Sequence, residues 1–299
     1  MTLDIITLQL FSGLSLCSIL LLVGIGLSIT FGLMGIINFA HGEFLMVGAY
    51  TAYMSQKILA FIPGGGYFFV ALPLSFLIAG ALGFLLEKVL IRYFYSKPYE
   101  SILATWGLSL ILQQLARNIF GANNVEVTAP VWLTEGIRIS EGVQLPYNRL
   151  FIIGIAFTCL TGLWFYLYKT PGGRRMQAVM QNRSMATCMG INSRKVDALT
   201  FAIGSGLAGV AGCIVSLLGS IGPATGQNYI LYAFLVVVLG GVGSLKGTIA
   251  GALIIGFALP FFEYMTTSSM GNVIVFILII LFLQKRPAGF ITMQSRALD

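Results

Sequence analysis

Asn38, His41 and Glu43 stand close together between two apolar segments, and His41 is the only histidine of the chain. An amide, an imidazole and a carboxylate so placed can hydrogen-bond a polar solute or one another. Ionisable groups at membrane depth are costly and either face a cavity or pair internally. Both readings stand at this point, a lined solute path and a His41–Glu43 network that staples a broken helix. Thr105, Gln113 and Gln114, with Gln227 and Asn228, add uncharged hydrogen-bonding groups, although the Gln113–Gln114 pair also suits the end of a span. No catalytic set is expected. Cys17, Cys159, Cys188 and Cys213 are isolated and read as small core residues, so no metal ligation or disulfide is expected either.

These groups must be held by membrane helices. The chain is 57% hydrophobic and 9% charged, with a mean hydropathy of +0.91. The expected fold is all-α, a polytopic transmembrane bundle of about eight or nine segments in one domain spanning 1–299. Apolar runs lie at about Ile5–Phe31, Phe44–Ala60, Tyr67–Leu86, Ser101–Leu115, Leu150–Tyr168, Ala198–Ile221, Tyr229–Leu259 and Asn272–Leu283. The N-terminal run is too long, and lacks the basic flank, for a cleaved signal, and is expected to be retained as the first span. As one helix, Tyr229–Leu259 would be about 45 Å long against a hydrocarbon core of roughly 30 Å. It is therefore expected to break at Gly240–Gly247.

That break lies in one of two similar patches. An offset of 208 positions carries Gly32 onto Gly240, Gly35 onto Gly243 and Gly48 onto Gly256. Glycine-broken segments at matching places in two halves mark irregular backbone beside a solute path. Gly35 and Gly243 are accordingly expected at the narrow part of that path, near Asn38, His41 and Glu43.

Charge sets the orientation. Lys169–Val196 carries Lys169, Arg174, Arg175, Arg183, Arg194 and Lys195 without an acid, so 169–196 is expected in the cytoplasm, and Arg117–Arg149, with mixed charges, outside. The tail with Lys285, Arg286 and Arg296 reads as cytoplasmic and the N-terminus as external; Lys57, near an outer end, is the exception. The net charge of +7 is explained by basic loops beside lipid headgroups, and nothing in it calls for nucleic acid.

Within 169–196, Arg174–Met189 is expected to form one short helix ended by Gly190, with Met176, Val179, Met180 and Met185 on an apolar face suited to docking another protein. The SLKGT string at Ser244 lacks the order of a phosphate-binding loop. The glycines of Gly204–Gly209, although spaced as in a dinucleotide fingerprint, open no βαβ unit and read as a helix-packing surface.

With these features the chain resembles ABC importer permeases of the branched-chain amino acid and urea branch. The segments FGLMGIINFAHGEFLMVGAYTAY, MGINSRKVDALTFAIGSGLAGVAG and VVVLGGVGSLKGTIAGALIIG carry the likeness. QNRSMATCMGI, SLLGSIGPATGQNYI and VIVFILIILFLQKRPAGF look nearer to the urea-transport members. Gln181 and Asn182 stand where leucine-type members commonly carry an acidic pair.

The resemblance implies a bacterial inner-membrane subunit, not an enzyme, that forms a translocation path with a second homologous permease. It implies two ATPase subunits, which bind the ATP and magnesium, and an extracytoplasmic binding protein; no cofactor is implied for this chain. Arg174, Arg175, Ala178, Met180, Gln181, Asn182, Met185, Ala186 and Gly190 would belong to the coupling helix engaged by the ATPases. The scarcity of intramembrane charge favours a neutral solute such as urea, with a branched-chain amino acid as the alternative. A passive amide channel would not need the elaborate 169–196 loop, and a membrane scaffold would not need repeated broken helices.

Overall fold

The computed structural model describes residues 3–291 except 36, 96, 141 and 142. Helices run in the order α1 (Leu3–Met34), α2 (His41–Ile58), α3 (Tyr67–Val89), α4 (Pro98–Phe120), α5 (Tyr147–Lys169), α6 (Pro171–Gln181), α7 (Arg183–Cys188), α8 (Ser193–Val215), α9 (Thr225–Gly240), α10 (Leu245–Met265) and α11 (Ser268–Lys285). Six of them, α1, α3, α5, α8, α10 and α11, are long and apolar enough to cross a membrane. The others among the eight expected runs form α2 and α4, which carry more polar residues, and the shorter α9. The polytopic all-α expectation thus holds.

One small departure lies between α4 and α5. Two antiparallel strands, β1 (Gly136–Ser140) and β2 (Val143–Pro146), pair Ile137 with Leu145 and Gly136 with Pro146. Gly136 lies so close to the opposite strand that a Cβ there would come within 3.0 Å of the Leu145 carbonyl carbon, which suits a residue without one.

Small residues let the central helices approach closely, because in lipid packing replaces the hydrophobic drive between helices. On α8, a Cβ at Gly204 would lie 2.8 Å from the Thr30 side chain of α1, one at Gly206 2.8 Å from Phe76 of α3, and one at Gly209 2.6 Å from the Ser75 carbonyl of α3. The glycine spacing that imitates a dinucleotide fingerprint is therefore the packing surface of the most buried part of α8. Ser244 of SLKGT caps α10, its Oγ accepting from Gly247 N at 3.1 Å.

The bundle has two distinguishable ends. At one, the Tyr67 hydroxyl donates to Thr128 O at 2.5 Å, Val125 pairs with Ile221 and Arg149 donates to Ser12 near the start of α1. The other carries α6, α7, the α3–α4 connection and both helix breaks. Phe290 N and Ile291 N donate to Leu239 O and Gly240 O at 2.9 and 3.0 Å, which brings the C-terminal tail to this end as well. The expected break in the Tyr229–Leu259 run is present, as α9 and α10 are separate helices joined through Gly241–Ser244. Ser295 and Arg296 lie outside the described residues.

Candidate functional site: two helix breaks and the loop beneath them

Gly35 and Gly243, equivalent at the offset of 208, share a left-handed backbone conformation, with φ of 67° and 77°. Only glycine adopts it at little cost. Each ends a membrane helix, α1 after Met34 and α9 after Gly240, and the second break adds Gly241 at φ 103°. The repeat read from glycine positions is thus a repeat of backbone shape. The two breaks also meet: a Cβ on Gly32 would lie 2.6 Å from Gly243 Cα and 2.9 Å from Met180 Cε.

Beyond the first break the chain climbs back into the bundle before α2 begins. His41 Nε2 lies 3.2 Å from Val23 O, eleven residues before the end of α1 and so about 16 Å along that helix. A polar stripe on α4 holds this segment. Thr105 Oγ1 accepts from Phe39 N at 3.2 Å, while Ser109 Oγ and Gln113 Nε2 donate to Glu43 Oε1 at 2.7 and 2.8 Å. Asn38 Oδ1 caps the turn by accepting from Ala40 N at 3.0 Å.

The structure therefore brings together Asn38, Glu43, Thr105 and Gln113, and adds Ser109, which the sequence reading did not single out. The i, i+4, i+8 spacing of Thr105, Ser109 and Gln113 was a legible signal for it. Asn38, His41, Glu43, Thr105 and Gln113 are all at most 3% exposed. His41 and Glu43 do not pair with each other; one is fastened to α1 and the other to α4. Asn38 Nδ2, His41 Nδ1 and Glu43 Oε2 have no hydrogen-bond partner among the described residues.

Gln227 and Asn228 lie apart from that cluster and are exposed at the start of α9. They follow Gly226, whose Cβ, were there one, would lie 2.6 Å from the Gly42 carbonyl carbon at the start of α2. Gln227 is thirteen residues before Gly240, about 20 Å along α9 from the break. Gln114 bonds only Asn118 of its own helix, at 3.1 Å.

The expected single helix Arg174–Met189 is two helices. Pro171 sits in the first turn of α6, capped by Thr170, which accepts from Gly173 N at 3.2 Å. At Asn182 the backbone is extended (φ −154°, ψ 102°) and its Oδ1 accepts from Met185 N at 2.9 Å, starting α7. Asparagine favours such an N-cap over a helix interior, and that preference breaks the helix here. Gly190, at φ 82°, ends α7 as expected.

The apolar face is divided as a result. Met176 and Val179 are buried against the bundle, Met180 is half-buried over the meeting breaks, and Met185 and Met189 are 61% and 77% exposed. Arg174, Arg175, Gln181, Asn182 and Gly190 are also exposed, Ala178 is half-buried, and Ala186 is buried. Among the expected coupling residues, Met180 and Ala186 thus turn inward, Met180 toward Gly32 and Ala186 into the cluster that holds Val179 and Phe201. A cavity of about 310 Å³ lies between the loop and the second break, lined by Ser28, Met176, Met180, Gln181, Gly243 and Lys246.

Comparisons with known proteins agree with this architecture. The model of the family described as branched-chain amino acid transport system / permease component matches residues 9–283. The high-affinity branched-chain amino acid transport system permease protein BraD of Pseudomonas aeruginosa is 31% identical over 292 residues, covering 95% of this chain and 94% of that protein. The corresponding permease LivH of Escherichia coli K12 is 31% identical over 291 residues, with the same shares covered. The probable branched-chain amino acid transport permease protein LivH of Methanocaldococcus jannaschii is 29% identical over 270 residues, covering 85% and 80%. No solved structure matches the chain. These relatives are transport permeases, not enzymes, and with a family match over nearly its whole length this chain belongs to the branched-chain amino acid transport system permease family.

Proposed function

We propose that the chain is the membrane permease of an ATP-driven importer for branched-chain amino acids, lining a path together with a second, homologous permease. The observation that carries the reading is the meeting of both helix breaks directly beneath the basic, methionine-bearing loop, with Met180 and Gly243 both against Gly32. A force on that loop would bear on the one place where both repeats depart from regular helix. Two ATPase subunits that bind ATP and magnesium would supply the force through the exposed faces of α6 and α7, and an extracytoplasmic binding protein would deliver the solute at the far end. The N-terminus is then outside and the α6–α7 loop and C-terminal tail are cytoplasmic, as the basic residues require.

In this reading the path runs past the Gly32–Gly243 contact and the amides of Gln227 and Asn228. The buried Asn38–Glu43 segment shapes the first break. The names of the relatives favour branched-chain amino acids over the urea expected from the sequence. Urea remains a second reading on one observation, the uncharged Gln181–Asn182 pair in the loop. The test is uptake of labelled leucine and of labelled urea by proteoliposomes holding the whole importer. ATP-dependent leucine uptake supports the proposal. Urea uptake alone would overturn the substrate, and ATP-independent uptake of either would overturn the importer reading.

A further inference from the structure

Two buried carboxylates at the loop-bearing end play no part in the path described above. Glu87, near the end of α3, is 1% exposed and Asp197, one turn into α8, is 0% exposed. Buried carboxylates need partners, and each has a guanidinium. Arg92 Nη2 donates to Glu87 Oε2 at 3.3 Å. Arg183, the first residue of α7, donates to both oxygens of Asp197, Nη1 reaching Oδ1 at 3.4 Å.

Tyr95 joins the two pairs. Its hydroxyl donates to Glu87 Oε1 at 2.6 Å, and the Arg183 guanidinium lies 5.2 Å from its ring centroid. Burial first, then the Glu87 carboxylate, push the phenol above its ordinary range, so the hydroxyl stays a donor. The result is a chain of contacts, Arg92–Glu87–Tyr95–Arg183–Asp197, with equal numbers of both charges.

Its placement gives it a role beyond satisfying buried charge. The six-residue α7 is set off from α6 by the extended Asn182 and is followed by the left-handed Gly190, so it is a separate short element between α6 and α8. Arg183 clamps it to α8. Through Tyr95 and Glu87 the same guanidinium reaches α3, which packs along α8, and α8 in turn touches α1 at Gly26 and α2 at Gly48, on either side of the first break.

We propose that this network is the lever by which displacement of α7 moves α3 and α8, making Arg183, Asp197, Glu87 and Tyr95 positioning residues for energy coupling. The inference rests on the reading that ATPase subunits engage the exposed side of α6 and α7.

The test compares the complete importer in proteoliposomes carrying wild-type chain, Arg183→Glu, Arg183→Glu with Asp197→Arg, Tyr95→Phe, and Met185→Asp. Labelled leucine and labelled urea are assayed in parallel, so that the solute the wild type imports gives the readout. Arg183→Glu should keep its ATPase subunits while solute moved per ATP hydrolysed falls at least tenfold. The charge swap should recover at least half of the wild-type ratio. Tyr95→Phe, which keeps the ring and loses only the hydroxyl, should lower the ratio severalfold.

A wild-type ratio in Arg183→Glu, or a swap no better than the single variant, overturns the lever. Should Arg183→Glu fail to assemble, a swap that assembles with a low ratio overturns it equally. Met185→Asp places a charge on the exposed docking side and should instead release the ATPase subunits. Full retention of them there overturns the docking reading itself, a result separable from failure of the network.

Discussion

Replacing Glu43 separates a carboxylate that touches solute from one that fastens the first break. Its Oε1 accepts from Ser109 and Gln113 at 2.7 and 2.8 Å, and the residue is 1% exposed. Glu43→Ala strands two buried donors. At about 1–3 kcal/mol for each unsatisfied group, the loss is about 2–6 kcal/mol, reduced where Gln113 and Ser109 keep their mutual bond at 3.1 Å. Glu43→Gln preserves an acceptor for both donors. It exchanges the unpartnered Oε2 for an amide nitrogen of similar size, so its net effect should stay within about 1 kcal/mol. The expected result is that Glu43→Ala yields little assembled importer, with a lowered thermal midpoint for the remainder. Glu43→Gln should assemble normally and keep at least half of the wild-type uptake per complex. A well-assembled Gln variant with tenfold lower uptake would refute the fastening role and place the carboxylate in contact with solute. Wild-type assembly of the Ala variant would refute it from the other side.

Space and backbone strain can be told apart at the breaks. Gly32→Val would drive side-chain atoms into Gly243 and Met180 and should abolish uptake or assembly, whereas Gly35→Ala meets no atom within 4 Å and should lose only the roughly 1–2 kcal/mol of a left-handed residue, read as a lower thermal midpoint with uptake retained. In a background lacking the four native cysteines, an impermeant maleimide should label cysteine at Thr134 from outside and at Arg194 and Arg286 only from the cytoplasmic side. Labelling of Arg194→Cys and Arg286→Cys from opposite sides would contradict the shared end at which the structure places the loop and the tail.

Local and periodic features were legible in the sequence. The break in the Tyr229–Leu259 run followed from length against membrane thickness, and the repeat followed from glycine spacing, because both are consequences of backbone conformation at single residues. Asn182 was legible in principle, since an asparagine followed three residues later by an apolar turn is an N-cap signal, yet the methionine periodicity favoured an unbroken helix and divided the apolar face wrongly. The Glu87 and Asp197 pairs were not legible. Glu87 reads as an ordinary charge at the end of a span, and its link to Asp197 runs through Tyr95 and Arg183, residues that only the packing of α3 on α8 brings together. At Gly35 a Cβ would meet no atom within 4 Å, and the left-handed backbone, which needs only the residue type to be legible, is what calls for glycine there.

The two breaks share a backbone shape but are completed by different parts of the chain. A helix that stops inside a bundle leaves N–H and C=O groups that cannot be left facing hydrocarbon, at several kcal/mol each. In the first break, side chains take up two of the N–H groups: Asn38 accepts from Ala40 N, and Thr105 of α4 accepts from Phe39 N. In the second, Ser244 accepts from Gly247 N, while the carbonyls of Leu239 and Gly240 are taken up by backbone N–H groups of the tail at Phe290 and Ile291. The first break is thus held by a neighbouring membrane helix, and the second by a segment at the loop-bearing end. Movement of α3 and α8 past α2 would reach the first break through the bundle. The second can be reached directly from the loop and the tail. On the proposed coupling, unequal supports would give one force on the loop two separate ways to act on the same meeting point, Gly32 against Gly243.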